Sequence, residues 1–422
     1  MELIVDEEYI PSLWLYSALD RKDTIFLDSS MHNELGRHSY IGLIPFKEYL
    51  PDNSDAVTVL NGIDDDTLMG FIGYDYGMKL MGCGSRHHPS RFPSFVLADF
   101  DVMIKDDIEN RVLVVECKGR VMPAEDEMKM IMDLIHDCDE PTIPEISSPV
   151  SVKSTEKKSF MDSVKRAKEL ERKGEFYVIN LSRRVIVKSC ADPFDVFLRL
   201  RNISPSPFGG FMSLNGITII SSSMELLLDI EDGKAWTRPI KGTVPRGDDE
   251  TDNRRNLDAL LTSSKDRSEL LMVTDMERND LNRFCIPGSV RVNGFFKPEE
   301  YSTVYHTVAD VSGEIENARL GHVIECVFPG GSVTGAPKKA CIDYIDELED
   351  CVRGPYTGSM GLFSRKKTVM NILIRTMAHK NETYEIGVGG GITYESNESS
   401  EYEETVQKSK ALMMALGADH GI

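Results

Sequence analysis

Short apolar runs separated by polar and turn-forming residues recur through the first 140 positions. TIFLDSS (24–30), YIGLIP (40–45), FVLADFDVMI (95–104) and RVLVVEC (111–117) read as strands. AEDEMKMIMDLIHDC (124–138) changes to apolar spacings of three and four, which predicts a helix. The period then disappears in DEPTIPEISSPVSVKSTEKKSF, a proline- and serine-rich stretch that predicts a linker over 141–158 between an N-terminal region, 1–140, and a C-terminal unit, 159–422.

Beyond it, KKSFMDSVKRAKELERKGEFYVINLSRRVIV reads as a helix, a stop at Gly174 and a strand. Strands are predicted at GITIISSS, TVMNILIRTMAH and TYEIGVGGGITY. Helices are predicted at RRNLDALLTSSKDRSELLMVTDMERNDL, APKKACIDYIDELED and SEYEETVQKSKALMMALG. Several successive strands have short connections, which favours antiparallel pairing over repeated crossovers. The expected class is α+β, with large, mixed, mainly antiparallel sheets flanked by helices and an N-terminal elaboration.

Composition adds exclusions. With 422 residues, 41% apolar and 28% charged, the chain has the makeup of a globular protein able to bury a large core. Its formal net charge of −21 would repel nucleic acid and anionic membrane surfaces, so neither is an expected partner. No basic-then-apolar leader opens the sequence and no run is long enough to span a bilayer, so the expected location is cytoplasmic. Eight cysteines are scattered without ligand-like spacing and are expected to be buried, reduced thiols. An acidic protein that binds an anion must gather cations and backbone N–H groups locally.

Two helices and a glycine segment offer such a gathering. Glu401, Glu404 and Lys408 share one helix face, and Asp266 and Glu269 share another. Each set is either a solvated face or half of a Mg²⁺ site, since that ion takes one or two carboxylates and fills its octahedron with waters and substrate oxygens. Gly389, Gly390 and Gly391 end a β-rich run, where they allow either a bulge or a close backbone approach to an anion. Arg375, inside the apolar NILIRTM, needs either a buried acidic partner or a ligand carboxylate. FPGGSVTGAPKK has the glycine interval of a phosphate loop, but Ala336 and Pro337 follow where lysine and a hydroxyl residue are required.

In order along residues 155–415, these motifs resemble the chorismate-utilising enzymes, a family that includes the large subunits of anthranilate synthase and aminodeoxychorismate synthase and the isochorismate and salicylate synthases. The resemblance rests on PIKGTVPRG (239–247), LLMVTDMERNDLNRFCIPGSVRV (270–292), HTVADVSGEI (306–315), FPGGSVTGAPKKACIDYIDELE (328–349), GPYTGSMGLFS (354–364), IRT (374–376), GVGGGI (387–392) and EYEETVQK (401–408). It extends more loosely to FLDSS and GRHSYIG in the N-terminal region.

What it implies is a Mg²⁺ held by Glu269 and Glu404, with Asp266 and Glu401 nearby through water, gripping the ring carboxylate of chorismate. Arg375 is expected on the enolpyruvyl carboxylate. Lys408 and the amides of Gly389, Gly390 and Gly391 are expected at the ring end, with Thr334 and Tyr356 also lining the substrate. Glu225 matches the family acid, although Met224 replaces the usual proline, and His306 matches the histidine at the ring's C2 end, where a packed neutral imidazole is the plain alternative. Lys241 in PIKGT resembles the nucleophile of the aminodeoxychorismate type, where anthranilate synthases have alanine; Asn180 in VINLS, FPGGSVTGAPK and GPYTGS lean the same way. The plain alternative for Lys241 is an exposed loop lysine pairing with Asp248 or Asp249. The leading expectation is therefore an aminodeoxychorismate synthase large component, with anthranilate synthase component I as the alternative. No glutaminase segment is recognisable, so the resemblance implies a separate glutamine amidotransferase subunit as the source of ammonia.

Overall fold

The 13-residue strand Phe95–Asp107 is buried along most of its length because it lies where two sheets meet. In this computed structural model, which describes every residue except 32–33, 65, 248, 301–303 and 419–422, one edge of that strand pairs with His38–Tyr49. The other edge pairs with Leu68–Ile72 and then with Val112–Cys117. From His38–Tyr49 the first sheet runs through Thr24–Asp28, Phe208–Leu214, Ile217–Ser223, Thr376–Lys380, Thr383–Ile392 and Val178–Lys188. From Leu68–Ile72 the second runs through Ser359–Phe363, Lys367–Asn371, Leu226–Glu231, Lys234–Arg238 and Val304–Glu314. Ile240–Pro245 and Arg291–Glu300 both pair with that last strand. Among the described residues every strand pairing is antiparallel, as the short connections predict.

The period of two decides which face each residue serves. Ile25, Leu27, Met212 and Ile219 of the first sheet meet Met69, Phe71, Met360 and Leu362 of the second in one buried cluster, so the sheets pack face to face. Phe26, between Ile25 and Leu27, points the opposite way and joins a cluster with Leu15, Ile131, Phe197 and Leu412 from helices that cover the first sheet. Leu60 and Ile324 belong to helices that cover the second, against Leu228 and Met370. Each such buried side chain contributes roughly 2 kcal/mol through removal from water.

Three predicted elements differ. Ser151–Ser154, inside the expected linker, is a strand, because the edge of Val178–Lys188 offers it a ladder. The long helix predicted over 254–281 is two, Glu250–Thr262 and Ser264–Asn282; Ser263 leaves the helical conformation and its side chain caps the amide of Asp266. The single strand predicted over 368–379 is also two, Lys367–Asn371 and Thr376–Lys380, and they belong to different sheets. Arg375 sits at that crossing with φ of 50°. Its apolar neighbours hide the break, because both halves are buried. Gly174 does follow its helix, at φ of 83°.

The cysteines are free thiols, but only Cys117, Cys285, Cys326 and Cys341 are buried; Cys83, Cys138 and Cys351 are half-buried, and Cys190, just past the end of Val178–Lys188, is exposed. Among the described residues, no helix is long and apolar enough to cross a membrane.

Candidate active site

Thr383–Ile392 pairs with Thr376–Lys380 only as far as Ile386, while its other edge stays on Val178–Lys188 to Ile392. The edge beyond Ile386 is thus open, and it carries Gly389, Gly390 and Gly391. These glycines do different work. A methyl group at Gly389 would meet the Leu181 carbonyl at 2.4 Å, so that glycine is required by the strand pairing itself. At Gly390 it would lie 3.5 Å from Glu404 Oε1, 3.5 Å from Lys408 Nζ and 3.7 Å from Glu401 Oε2. At Gly391 it would lie 3.6 Å from Glu269 Oε2 and 3.7 Å from Lys241 Nζ. The acidic faces of two helices, far apart in sequence, therefore converge on adjacent glycines.

Local capping fixes both helices. Ser263 starts Ser264–Asn282, and Asn397 accepts from the amides of Ser399 and Ser400 to start Glu398–Ala415. Asp266 and Glu401 lie in the first turns, where the positive end of the helix dipole favours carboxylates. Between the helices stands a residue the sequence reading passed over. Lys265 places its ammonium 3.8 Å from Glu269 Oε1 and 3.7 Å from Glu401 Oε1. Glu404 pairs instead with Lys408 at 2.7 Å, and Lys408 also donates to the Gly389 carbonyl at 2.9 Å.

Burial pushes the Glu269 carboxyl up, against Lys241 and Lys265, while Asp266 and Glu401 add to the rise. Burial and Glu404 likewise raise Glu401. For Glu404 itself burial acts upward but is outweighed by Lys408, Lys265 and Lys241, so its carboxyl lies below the usual range.

Lys241, on Ile240–Pro245, donates to the Ser332 carbonyl at 3.3 Å and is partly buried. It faces the glycines and Glu269, not Asp249, which caps Glu250–Thr262; Asp248 lies outside the described residues. Glu225 is buried, beside Ser332 and in the field of Lys241 and Lys408, and burial raises its pKa, which favours the protonated acid. His306 shares a hydrogen bond of 2.8 Å between Nδ1 and Thr243 Oγ1. Burial, helped by Arg375 and Lys408, pushes it down to about 4, so its ring is neutral.

Arg375 is held by its crossing between sheets, with its carbonyl accepting from the Ser222 amide at 3.1 Å. Among the described residues its guanidinium has no ion-pair partner, and burial lowers its pKa while Tyr356 and Glu404 oppose that. A buried structural salt bridge is thus not what holds it, and an unpaired guanidinium is suited to a ligand carboxylate. Burial likewise raises the Tyr356 phenol, which lies in the fields of Arg375 and Glu225. Asn180 lies opposite Gly391 with its side-chain oxygen buried and, among the described residues, without a hydrogen-bond partner. Thr334 is wholly buried, and its hydroxyl faces Tyr74.

Among the described residues no three His, Cys, Asp or Glu side chains form a ready-made metal cage. Mg²⁺ does not need one: Glu269 and Glu404, which converge on adjacent glycines with Glu401 and Asp266 close by, have the charge to hold it together with water and substrate oxygens. The donor set fits.

With this geometry, the chain belongs to the chorismate binding enzyme family, whose profile matches residues 39–414. Anthranilate synthase component 1 from Saccharolobus solfataricus is 32% identical over 386 residues, covering 87% of this chain and 88% of that one. Aminodeoxychorismate synthase component 1 from Bacillus subtilis is 32% identical over 362 residues, 82% of this chain and 76% of that one. The crystal structure of anthranilate synthase component I from Streptococcus pneumoniae superimposes with a TM-score of 0.78 at 25% identity, over 90% of this chain and 93% of that one. The chain spans about half the length of other curated relatives it matches.

Proposed function

We propose that this protein aminates chorismate in a Mg²⁺-dependent reaction, forming 4-amino-4-deoxychorismate with ammonia delivered by a glutamine amidotransferase partner. The observation that carries the reading is the position of Lys241 between Ser332 and the Gly391–Glu269 side of the cluster. Magnesium, when bound, supplies Lewis-acid attraction for the ring carboxylate. Arg375 pairs with the enolpyruvyl carboxylate, and Lys408 with the glycine edge orients the ring.

An ammonium cannot attack, so the Lys241 amine acts as the free base. It adds at C2 of the ring; the double-bond electrons shift and the C4–O bond breaks, with Glu225 donating the proton that lets hydroxide leave as water. Ammonia then adds at C4, the electrons shift back, and the C2–N bond to Lys241 breaks, regenerating the amine. Neutral His306, tied to Thr243 and in the field of Arg375 and Lys408, adds no charge there.

Anthranilate formation is the second reading, favoured by relatives such as the Saccharolobus solfataricus protein. One experiment separates them. Purified protein is incubated with chorismate, Mg²⁺ and ammonium, with and without an added aminodeoxychorismate lyase. The expected result is p-aminobenzoate only when lyase is present, and its loss in Lys241→Ala. Anthranilate fluorescence from the unaltered protein without lyase, or an unchanged product and rate in Lys241→Ala, would overturn the leading reading.

A further inference from the structure

Lys265 and Glu269 are one helical turn apart, and that pair alone would be an ordinary surface contact worth a few tenths of a kcal/mol. The contact to Glu401 is different, because Glu401 belongs to another helix and is buried. A carboxylate taken out of water needs a compensating charge, and Lys265 supplies it from a side chain that is itself 43% exposed. With Lys408 on Glu404, the carboxylates of Glu269, Glu401 and Glu404 share two ammonium groups before any metal arrives.

A divalent cation held by Glu269 and Glu404, with Glu401 beside it, would meet the field of the Lys265 ammonium, which acts on all three carboxylates, and like charges repel strongly at the partly screened dielectric of a cleft. Lysine carries its charge on a flexible four-carbon stem, and the exposed stem of Lys265 has solvent to swing into. We propose that Lys265 is a built-in counter-cation that occupies the metal position of the free protein and is displaced when magnesium binds, so that this lysine sets the metal affinity. The proposal rests on the reading of Glu269 and its neighbours as the metal site. It also gives the lysine a use: with Lys408 it offsets part of the negative charge of the carboxylate cluster without metal, and a metal arriving with an anionic substrate replaces Lys265 more readily than a metal alone.

The test is binding, not turnover. Mg²⁺ is titrated calorimetrically, and Mn²⁺ is followed by the electron paramagnetic resonance signal of the free ion. Both are applied to the whole chain without chorismate, for wild type, Lys265→Met, Lys265→Gln, Lys265→Arg and Glu269→Gln, with folding checked by circular dichroism. Removing the ammonium is expected to tighten both metals by about tenfold or more in the Met and Gln variants, whereas Lys265→Arg, which keeps the charge, stays within about twofold of wild type. Glu269→Gln is expected to abolish the binding. Unchanged or weaker binding in the folded Met and Gln variants, with Glu269→Gln still abolishing it, would overturn the role of Lys265 and leave the metal site standing. Wild-type affinity in Glu269→Gln would remove the metal site and this proposal together.

Discussion

Burial strips His306 of its proton, and that has a measurable cost. Its pKa falls from the ordinary 6.5 to about 4 in the folded chain. Between those values the unfolded chain binds a proton that the folded one refuses. Stability is therefore unaffected by this residue above about pH 6.5, declines as pH falls toward about 4, and levels off below; the full span is on the order of 3 kcal/mol. His306→Asn is expected to flatten that part of the stability profile in urea unfolding at stepped pH. A slope identical to wild type would mean the imidazole is solvated and not packed. At this scale the sequence was informative through motif resemblance, which singled out Lys241, Glu225, Arg375 and His306 before any geometry. Spacing alone left Arg375 open between a salt bridge and a ligand role, and only the absence of an ion-pair partner among the described residues speaks against the salt bridge. Lys265 was passed over because along the helix it shows one partner, Glu269, while the partner that matters is 136 positions away on another helix.

Among elements, the strand Thr383–Ile392 shows how one residue type can serve two purposes. Gly389 is packed against the Leu181 carbonyl, so Gly389→Ala forces the ladder apart and is expected to cost about 2 kcal/mol or more in denaturant unfolding. A methyl group at Gly391 would sit at ordinary contact distance from Glu269, Lys241 and Val178, and the backbone there is extended, so Gly391→Ala is expected to unfold at nearly the wild-type temperature yet to bind chorismate at least about tenfold more weakly. Equal losses of stability in the two variants would contradict this division. Periodicity made the longest helices and some of the strands legible, including the helix that ends before Gly174, but left strands such as Leu68–Ile72, Leu226–Glu231 and Ser359–Phe363 unread. It failed at Ser263, where exposed residues flank the break and helix-forming residues run straight through it, and at Arg375, where the apolar pattern continues because both halves are buried. Both corners position the site: Ser263 aims Asp266 and Glu269, and the crossing at Arg375 sets its guanidinium near Tyr356 and Glu404.

At the scale of the whole molecule, the boundary read near residues 141–158 divides the sequence more sharply than it divides the architecture. Short connections correctly implied antiparallel sheets, but no local signal could tell that Leu68–Ile72 would pair with Ser359–Phe363, or Thr24–Asp28 with Phe208–Leu214. Those pairings thread the N-terminal region through both sheets, and the cluster between the sheets mixes side chains from before and after the boundary, such as Phe71 and Leu362. Two regions that complete each other's ladders share one core and lose it together. Urea unfolding followed by near-ultraviolet circular dichroism and by tryptophan fluorescence is therefore expected to give a single coincident transition. Residues 159–422 produced alone would expose the edges of Phe208–Leu214 and Ser359–Phe363, together with half of the intersheet core, and are expected to aggregate and not to bind chorismate. A soluble 159–422 fragment with a cooperative transition of its own would show that the C-terminal unit closes its sheets without the N-terminal strands, and that the ladders joining the two regions add little to its stability.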